Sequence, residues 1–320
     1  MDHTGLSVKL QLAYPPVSNY DFTHIRTEEA VQHWLKESML YMIVQRPVLT
    51  FERVQPGEAM LTFDIHQQGT EEILHCRLPL QQHIFIRNPE AELRLEIGWH
   101  DAEKATESLP AYHVDAFKFY ENEEFMYWLT PERFIYEYLH DNIDAEVKGN
   151  TRAFVSYYVH YVGKATDQPI WNRLDGHKTL QKILSIVKPL AQSLPTHELA
   201  LLLFQVGDAQ SIKIFEPESL FESGPSLPSK KEISLDAEKM LVRVFQPDFN
   251  DPKKRFPSYP ISKDGLYGYN FNRYGYQIIE DLSLNNGQLI IEGSLDQNRA
   301  DLLTVHDNQE INIYALASDW

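Results

Sequence analysis

Cysteine is almost absent from this chain: Cys76 is the single one in 320 residues. One thiol excludes an internal disulfide framework and a cysteine-based zinc site. Long apolar runs are missing too. None reaches the roughly 18–20 residues that a membrane-spanning helix needs. The opening Met1-Asp2-His3-Thr4-Gly5 lacks the basic start and apolar core of a secretory signal. A cytoplasmic protein without a membrane anchor is the expectation. Positive charge is scarce, with 29 Lys and Arg against 46 Asp and Glu, a net charge of −17. That balance excludes a generic coat for nucleic acid. No internal repeat is present. What remains is 43% hydrophobic and 12% aromatic, which fits a folded chain of one large or two ordinary domains.

The charge is unevenly spread. Residues 1–149 hold 12 basic and 25 acidic side chains, a balance of −13. Residues 150–260 hold 14 and 12, a balance of +2, and residues 261–320 hold 3 and 9, a balance of −6. Phosphate contacts need local rather than global positive charge, so the middle segment is where they are expected. The three segments are read as a β-rich accessory or recognition region (1–149), a mixed domain (150–260) and a β extension (261–320). The fold class is α+β.

Alternation and punctuation predict strands at 7–14, 60–66, 73–79, 83–87 and 92–99, and helices at 28–44 and 131–139. Residues 153–162 read as a strand rich in Val, Phe and Tyr. Pro169 opens a helix through Trp171 and Arg173, and Gly176 interrupts it. Leu180, Ile183, Leu184 and Val187 have helical spacing. A hairpin is predicted around Gly207-Asp208, and an ordered loop or lid at 218–230. Ser234 is the expected N-cap of a helix running to Phe245. The tail turns at Asn286-Gly287. Its Tyr267, Tyr269, Phe271, Tyr274 and Tyr276 either stack on bases or pack a core.

The chemistry-bearing stretch is Tyr161-Val162-Gly163-Lys164-Ala165. Strand alternation puts Tyr157, Val159 and Tyr161 on one face and Tyr158, His160 and Val162 on the other. Gly163 marks a place where backbone turns or comes close to something. Arg173 and His177 would share a face if one helix ran through both. Glu238 falls at the edge of an apolar stripe formed by Leu241, Val242 and Phe245, with Asp236, Lys239 and Arg243 opposite. A carboxylate facing a core needs a divalent cation or an arginine. Asn250 follows Pro247, and Lys253-Lys254-Arg255 suits either phosphate contact or a solvated loop. Each residue has a plain alternative: a core tyrosine, a surface arginine with a capping histidine, a first-turn glutamate. Together they supply a phenol, a guanidinium, an imidazole and a carboxylate, the groups that metal-assisted phosphodiester hydrolysis uses.

In this order the residues resemble the GIY-YIG nuclease superfamily, in its restriction-endonuclease-like branch. Tyr161-Val162-Gly163 resembles the second half of the family motif. Arg173 and His177, Glu238, and Asn250 after Pro247 resemble its later elements. No Gly-Ile-Tyr triplet precedes Tyr161 at hairpin spacing, and Tyr157 or Tyr158 is the candidate for the missing first tyrosine. The resemblance covers about residues 150–260. It implies a small mixed sheet with flanking helices and a Mg²⁺- or Mn²⁺-dependent endonuclease, in a restriction or defence setting. Tyr161 would act as general base, Glu238 would hold the metal, Arg173 would stabilise the transition state and His177 would move a proton. Lys164, Asn250, Lys253, Lys254 and Arg255 would contact nucleic acid.

DNA is the expected partner, with RNA open. A homo-oligomer, or a partner protein bound through the acidic N-terminal region, is the other expected association. The competing readings are a non-catalytic nucleic-acid- or protein-binding protein on a degenerate nuclease fold, and an acidic scaffold for a basic partner.

Overall fold

The computed structural model describes residues 3–88, 90–99, 114–190, 195–214, 226–251, 256, 259–269, 271–306 and 310–316. The fold is α+β, mostly sheet with flanking helices, and has 17 strands and 8 α-helices among the described residues. The chain opens with β1 (His3–Leu12), β2 (Val17–Ser18), α1 (Asn19–Ile25), α2 (Glu29–Leu35) and β3 (Leu40–Gln45). A β-rich stretch follows: β4 (Leu49–Pro56), β5 (Met60–Gln67), β6 (Ile73–Pro79), β7 (Leu93–Trp99), β8 (Val114–Glu121), β9 (Glu124–Leu129), α3 (Pro131–Leu139) and β10 (Glu146–Lys148). Next come α4 (Thr151–Phe154), β11 (Ser156–Lys164), α5 (Ile170–Leu174), α6 (Lys178–Ile186), α7 (Pro195–Glu198), β12 (Leu199–Ile214) and α8 (Lys230–Phe245). The tail holds β13 (Arg273–Ile278), β14 (Ser283–Asn285), β15 (Ile290–Glu292), β16 (Leu302–His306) and β17 (Glu310–Tyr314).

The larger sheet has the order β15-β14-β11-β3-β12-β1-β13-β16-β17, with β2 on β12. It draws strands from all three segments into which the sequence divides at 149/150 and 260/261. One buried core does the same, joining Leu6, Val44, Val159, Met240, Tyr276 and Val305. The smaller sheet, β10-β6-β5-β4-β8-β7 with β9 on β8, lies wholly between β3 and β11 in sequence. Its core is aromatic: Phe51, Phe63, Phe117 and Phe134 interlock, and Phe85 stacks on Phe119 at 4.0 Å. The residues between β3 and β11 are thus an insertion with its own core, and these two strands pair antiparallel across its ends. Among the described residues no helix is long and apolar enough to cross a membrane.

Several expectations fail for identifiable reasons. The helix predicted over 28–44 ends at Leu35, and Leu40–Gln45 is a strand buried at all six positions. A strand covered on both faces carries consecutive apolar residues, which imitate helical periodicity when read from sequence. No hairpin forms at Gly207-Asp208. β12 runs straight through, and its register slips opposite Lys9 and Leu10. Gly207 is the extra residue at that slip, where the Gln11 side chain lies against its Cα. Residues 83–85 form a turn, not a strand, with Phe85 N–H donating to the Gln82 carbonyl at 2.9 Å. The last long helix starts at Lys230, not after Ser234, because Ser229 and Glu232 form a reciprocal capping box. Of the loop predicted at 218–230, residues 218–225 lie outside the described residues. The strands near 60–66, 73–79 and 92–99, the helix at 131–139 and the turn at Asn286-Gly287 form as expected. Tyr274, Tyr276 and Phe271 are core residues, whereas Tyr267 is exposed.

Asp236, expected on the exposed side of α8, is fully buried. Its carboxylate accepts the backbone N–H groups of Ile261 at 3.3 Å, Ser262 at 3.1 Å and Leu266 at 2.7 Å, and Lys239 lies 3.4 Å away. It ties the tail to α8. Asp236→Ala leaves three donors without an acceptor, at about 1 kcal/mol or more each. Urea denaturation is expected to show a loss of about 3 kcal/mol, and a loss below about 1 kcal/mol contradicts the anchoring role.

Candidate functional site

The site is built on the antiparallel trio β11-β3-β12. In β11 the pairing runs Val159 with Val44 and then Tyr161 with Ile43, so His160 is a bulge. An extra residue in a strand reverses the facing of everything after it. Tyr161 therefore leaves the face of Tyr157 and Val159 and joins the opposite one, among Tyr41 and Ile43. The face shared by Tyr157, Val159 and Tyr161, expected from plain alternation, does not exist.

Tyr41 on β3 lies directly across from Gly163. A Cβ at residue 163 would come within 2.5 Å of Tyr41 Cζ and Oη and 2.7 Å of Tyr161 Cε1. Glycine is required because two tyrosine rings, with centroids 6.0 Å apart, occupy that space. The third ring belongs to His177, 5.8 Å from Tyr41 and 5.4 Å from Tyr161. One helix does not run from Arg173 to His177. α5 stops at Leu174, and Gly176 turns the chain at φ +64. His177 then caps α6, its Nδ1 accepting the Leu180 N–H at 3.1 Å.

That cap sets the tautomer. With Nδ1 an acceptor, the neutral ring carries its proton on Nε2, which donates to Tyr41 Oη at 2.8 Å. The Tyr41 hydroxyl is left to donate onward. The Tyr161 ring lies beside it, its centroid 6.0 Å from that of Tyr41. His177 and Tyr41 are thus hydrogen-bonded, with the Tyr161 ring packed against both.

Burial lifts the Tyr161 phenol above its ordinary value, while Tyr41 and the Arg173 guanidinium pull it back and Glu238 pushes it up. Burial drives Tyr41 much higher still. His177 is pushed down to about 4, first by burial and then by Arg173. Arg173 thus acts on all three rings. It is half-buried and makes no ion pair or side-chain hydrogen bond to a described residue. Lys164, at the end of β11, stands 4.0 Å from Glu238 on α8. The sequence-predicted Tyr161, Lys164, Arg173, His177 and Glu238 therefore come together, and Tyr41 joins them.

The others do not. Tyr157, one candidate for the first tyrosine, is buried in the core on the opposite face of the sheet. Tyr158 sits with its ring 4.9 Å from His160, and its pKa is raised by burial and Asp248. Asn250 commits both ends of its carboxamide to the β11 backbone: Oδ1 accepts from Val162 N at 3.0 Å and Nδ2 donates to Val162 O at 2.8 Å. It clamps the free edge of the bulged strand. Lys253, Lys254 and Arg255 lie outside the described residues. Sequence reasoning missed Tyr41. Its signal was the unbroken apolar run from Leu40 to Val44, flanked by Ser38 and by Arg46-Pro47.

Among the described residues no three His, Cys, Asp or Glu side chains are grouped to hold a metal ion. The donor set at this site is one carboxylate, Glu238. One carboxylate facing Lys164 at 4.0 Å is less than a preformed metal centre, since Mg²⁺ held through one or two carboxylates takes its other ligands from water and substrate oxygens.

Gly163→Ala is expected to destabilise the chain by about 1–3 kcal/mol through overpacking against Tyr41. A thermal or urea midpoint equal to that of the native chain contradicts the close approach. His177 also makes a pH signature. Its folded pKa of about 4 lies below the ordinary value of about 6.5. The unfolded chain therefore takes up a proton that the folded one refuses. The contribution is whole above about pH 6.5 and is lost as pH falls toward 4. Urea midpoints measured across this window are expected to drop less in His177→Asn, which keeps a cap but does not titrate.

No protein-family model matches the chain, and no curated protein and no solved structure shows a significant similarity to it.

Proposed function

We propose that the chain is a divalent-metal-dependent endonuclease that hydrolyses phosphodiester bonds of DNA. The observation that carries this reading is the convergence of Tyr41, Tyr161, Lys164, Arg173, His177 and Glu238 from five separate elements onto one place. Such hydrolysis needs a proton acceptor near the attacking water and fixed positive charge for the phosphate oxygens. Arg173 has its forked donors uncommitted to any described residue and suits the second task. Lys164, 4.0 Å from Glu238, adds a point charge.

Tyr161 suits the first task. It lies beside Tyr41 and Arg173, and both lower the cost of its phenolate. Tyr41 and His177 orient it. Tyr41 on β3 lies across from Gly163 of β11 and brings a second phenol to the site. Glu238 would hold the metal ion, which when bound supplies positive charge and lowers the pKa of water. Asn250 acts at one remove, by holding the Val162 backbone.

The test is plasmid cleavage in Mg²⁺ or Mn²⁺, with EDTA as control. Cutting is expected to depend on the metal, to fall about 100-fold or more in Glu238→Ala and Arg173→Ala, and to fall in Tyr41→Phe. DNA affinity is expected to change little in Glu238→Ala. Full activity in Glu238→Ala sinks the assignment. Absence of cutting of plasmid, single-stranded DNA and RNA by the native chain favours the non-catalytic binding protein. The raised Tyr161 pKa and the net charge of −17 are what speak for that second reading.

A further inference from the structure

A second site stands apart from the Tyr161 cluster. A cleft of about 340 Å³ opens where the N-terminal part of the large-sheet unit meets the insertion, and its volume is within the range of small-molecule pockets. Tyr14, Tyr20, Asp21 and His24 line one side. Lys118 of β8, Trp128 of β9 and Arg133 of α3 line the other. Clefts between units are common ligand sites because each unit supplies one rigid wall.

The lining joins aromatic surface to positive charge. The Arg133 guanidinium lies 4.0 Å over Trp128 and 4.1 Å over Tyr127, and its Nε is 3.3 Å from Glu137. Its Nη1 is buried and has no hydrogen-bond partner. A buried, unpaired guanidinium N–H in a native structure asks for an explanation, and a ligand acceptor supplies one. Lys118 is 42% exposed at its side chain and shares its charge with Glu96 at 3.2 Å. Tyr20 stacks on His197 at 4.4 Å, which holds it in place. Asp21 also lines the cleft, its carboxylate accepting the Ser18 hydroxyl at 2.6 Å.

We infer that this cleft binds a nucleotide unit, its base among Tyr14, Tyr20 and Trp128 and its phosphate toward Arg133 and Lys118. A planar π-system carrying an anion matches aromatic walls combined with a free guanidinium donor. The unit is either a free nucleotide or one residue of a strand.

Calorimetric titration of the full chain with AMP, a short oligothymidylate, adenosine and inorganic phosphate tests this, with tryptophan fluorescence as a second readout. Saturable binding of AMP or of the oligonucleotide is expected, weakened about tenfold by Trp128→Leu, the scale of losing one stacking partner, and also weakened by Lys118→Ala. Binding in which the oligonucleotide outcompetes AMP identifies a strand as the source, and equal binding identifies a free nucleotide. Phosphate binding as tightly as AMP overturns the proposal, as does the absence of saturable binding at millimolar ligand. Lys118 is at the surface, so its variant keeps the test valid if Trp128→Leu fails to fold. Glu238→Ala is expected to bind as the native chain does, which separates this site from any failure of the cleavage assay.

Discussion

The pairing of β3 with β11 is the constraint on which the rest depends. β3 is buried on both faces and hydrogen-bonded on both edges, to β11 on one side and β12 on the other. Every backbone polar group of a strand so placed must be satisfied within the sheet. The two strands nevertheless lie on either side of a complete β-rich unit in sequence. That unit can be inserted because its ends return to neighbouring strands, and because Phe51, Phe63, Phe117 and Phe134 give it a core of its own. Closing so long a loop costs little more than closing a short one, since the entropy grows only with the logarithm of length.

The candidate site follows from that pairing. Once Tyr41 faces Gly163, the missing Cβ becomes the space in which two phenols and an imidazole meet. The bulge at His160 then decides which side of the sheet Tyr161 occupies. Asn250 stabilises the bulged edge by acting as a substitute strand, and Phe249 N–H adds a bond to the His160 carbonyl at 3.2 Å. The electrostatics are a balance of opposites. Burial disfavours the charged forms of Tyr41, Tyr161 and His177, while Arg173 favours phenolate and disfavours imidazolium. His177 is consequently neutral at ordinary pH and available as a donor through Nε2.

Some of this was legible before folding. The order Tyr161, Lys164, Arg173, His177, Glu238 is a chemical inventory that can be read along the chain, and these five do meet. The positive balance of residues 150–260 marks the same stretch. The strands of the insertion, the Thr130-capped helix and the turn at Asn286-Gly287 obey local rules of alternation, capping and turn chemistry. Asn250 was visible as a residue of interest, although its role is to hold backbone.

What sequence alone determined, then, is the α+β composition and those elements whose signals are local. Tertiary structure alone decided that Tyr41 belongs to the site, that Tyr161 faces it, and that Asp236 is an anchor where a helical wheel puts it in solvent. The physical reason is the same in each case. A strand covered on both faces loses its period of two, a bulge shifts the period by one residue, and a buried carboxylate is stabilised by backbone donors about thirty residues away in sequence. None of these partners is a neighbour along the chain, so no window of sequence contains the interaction that sets the residue's role.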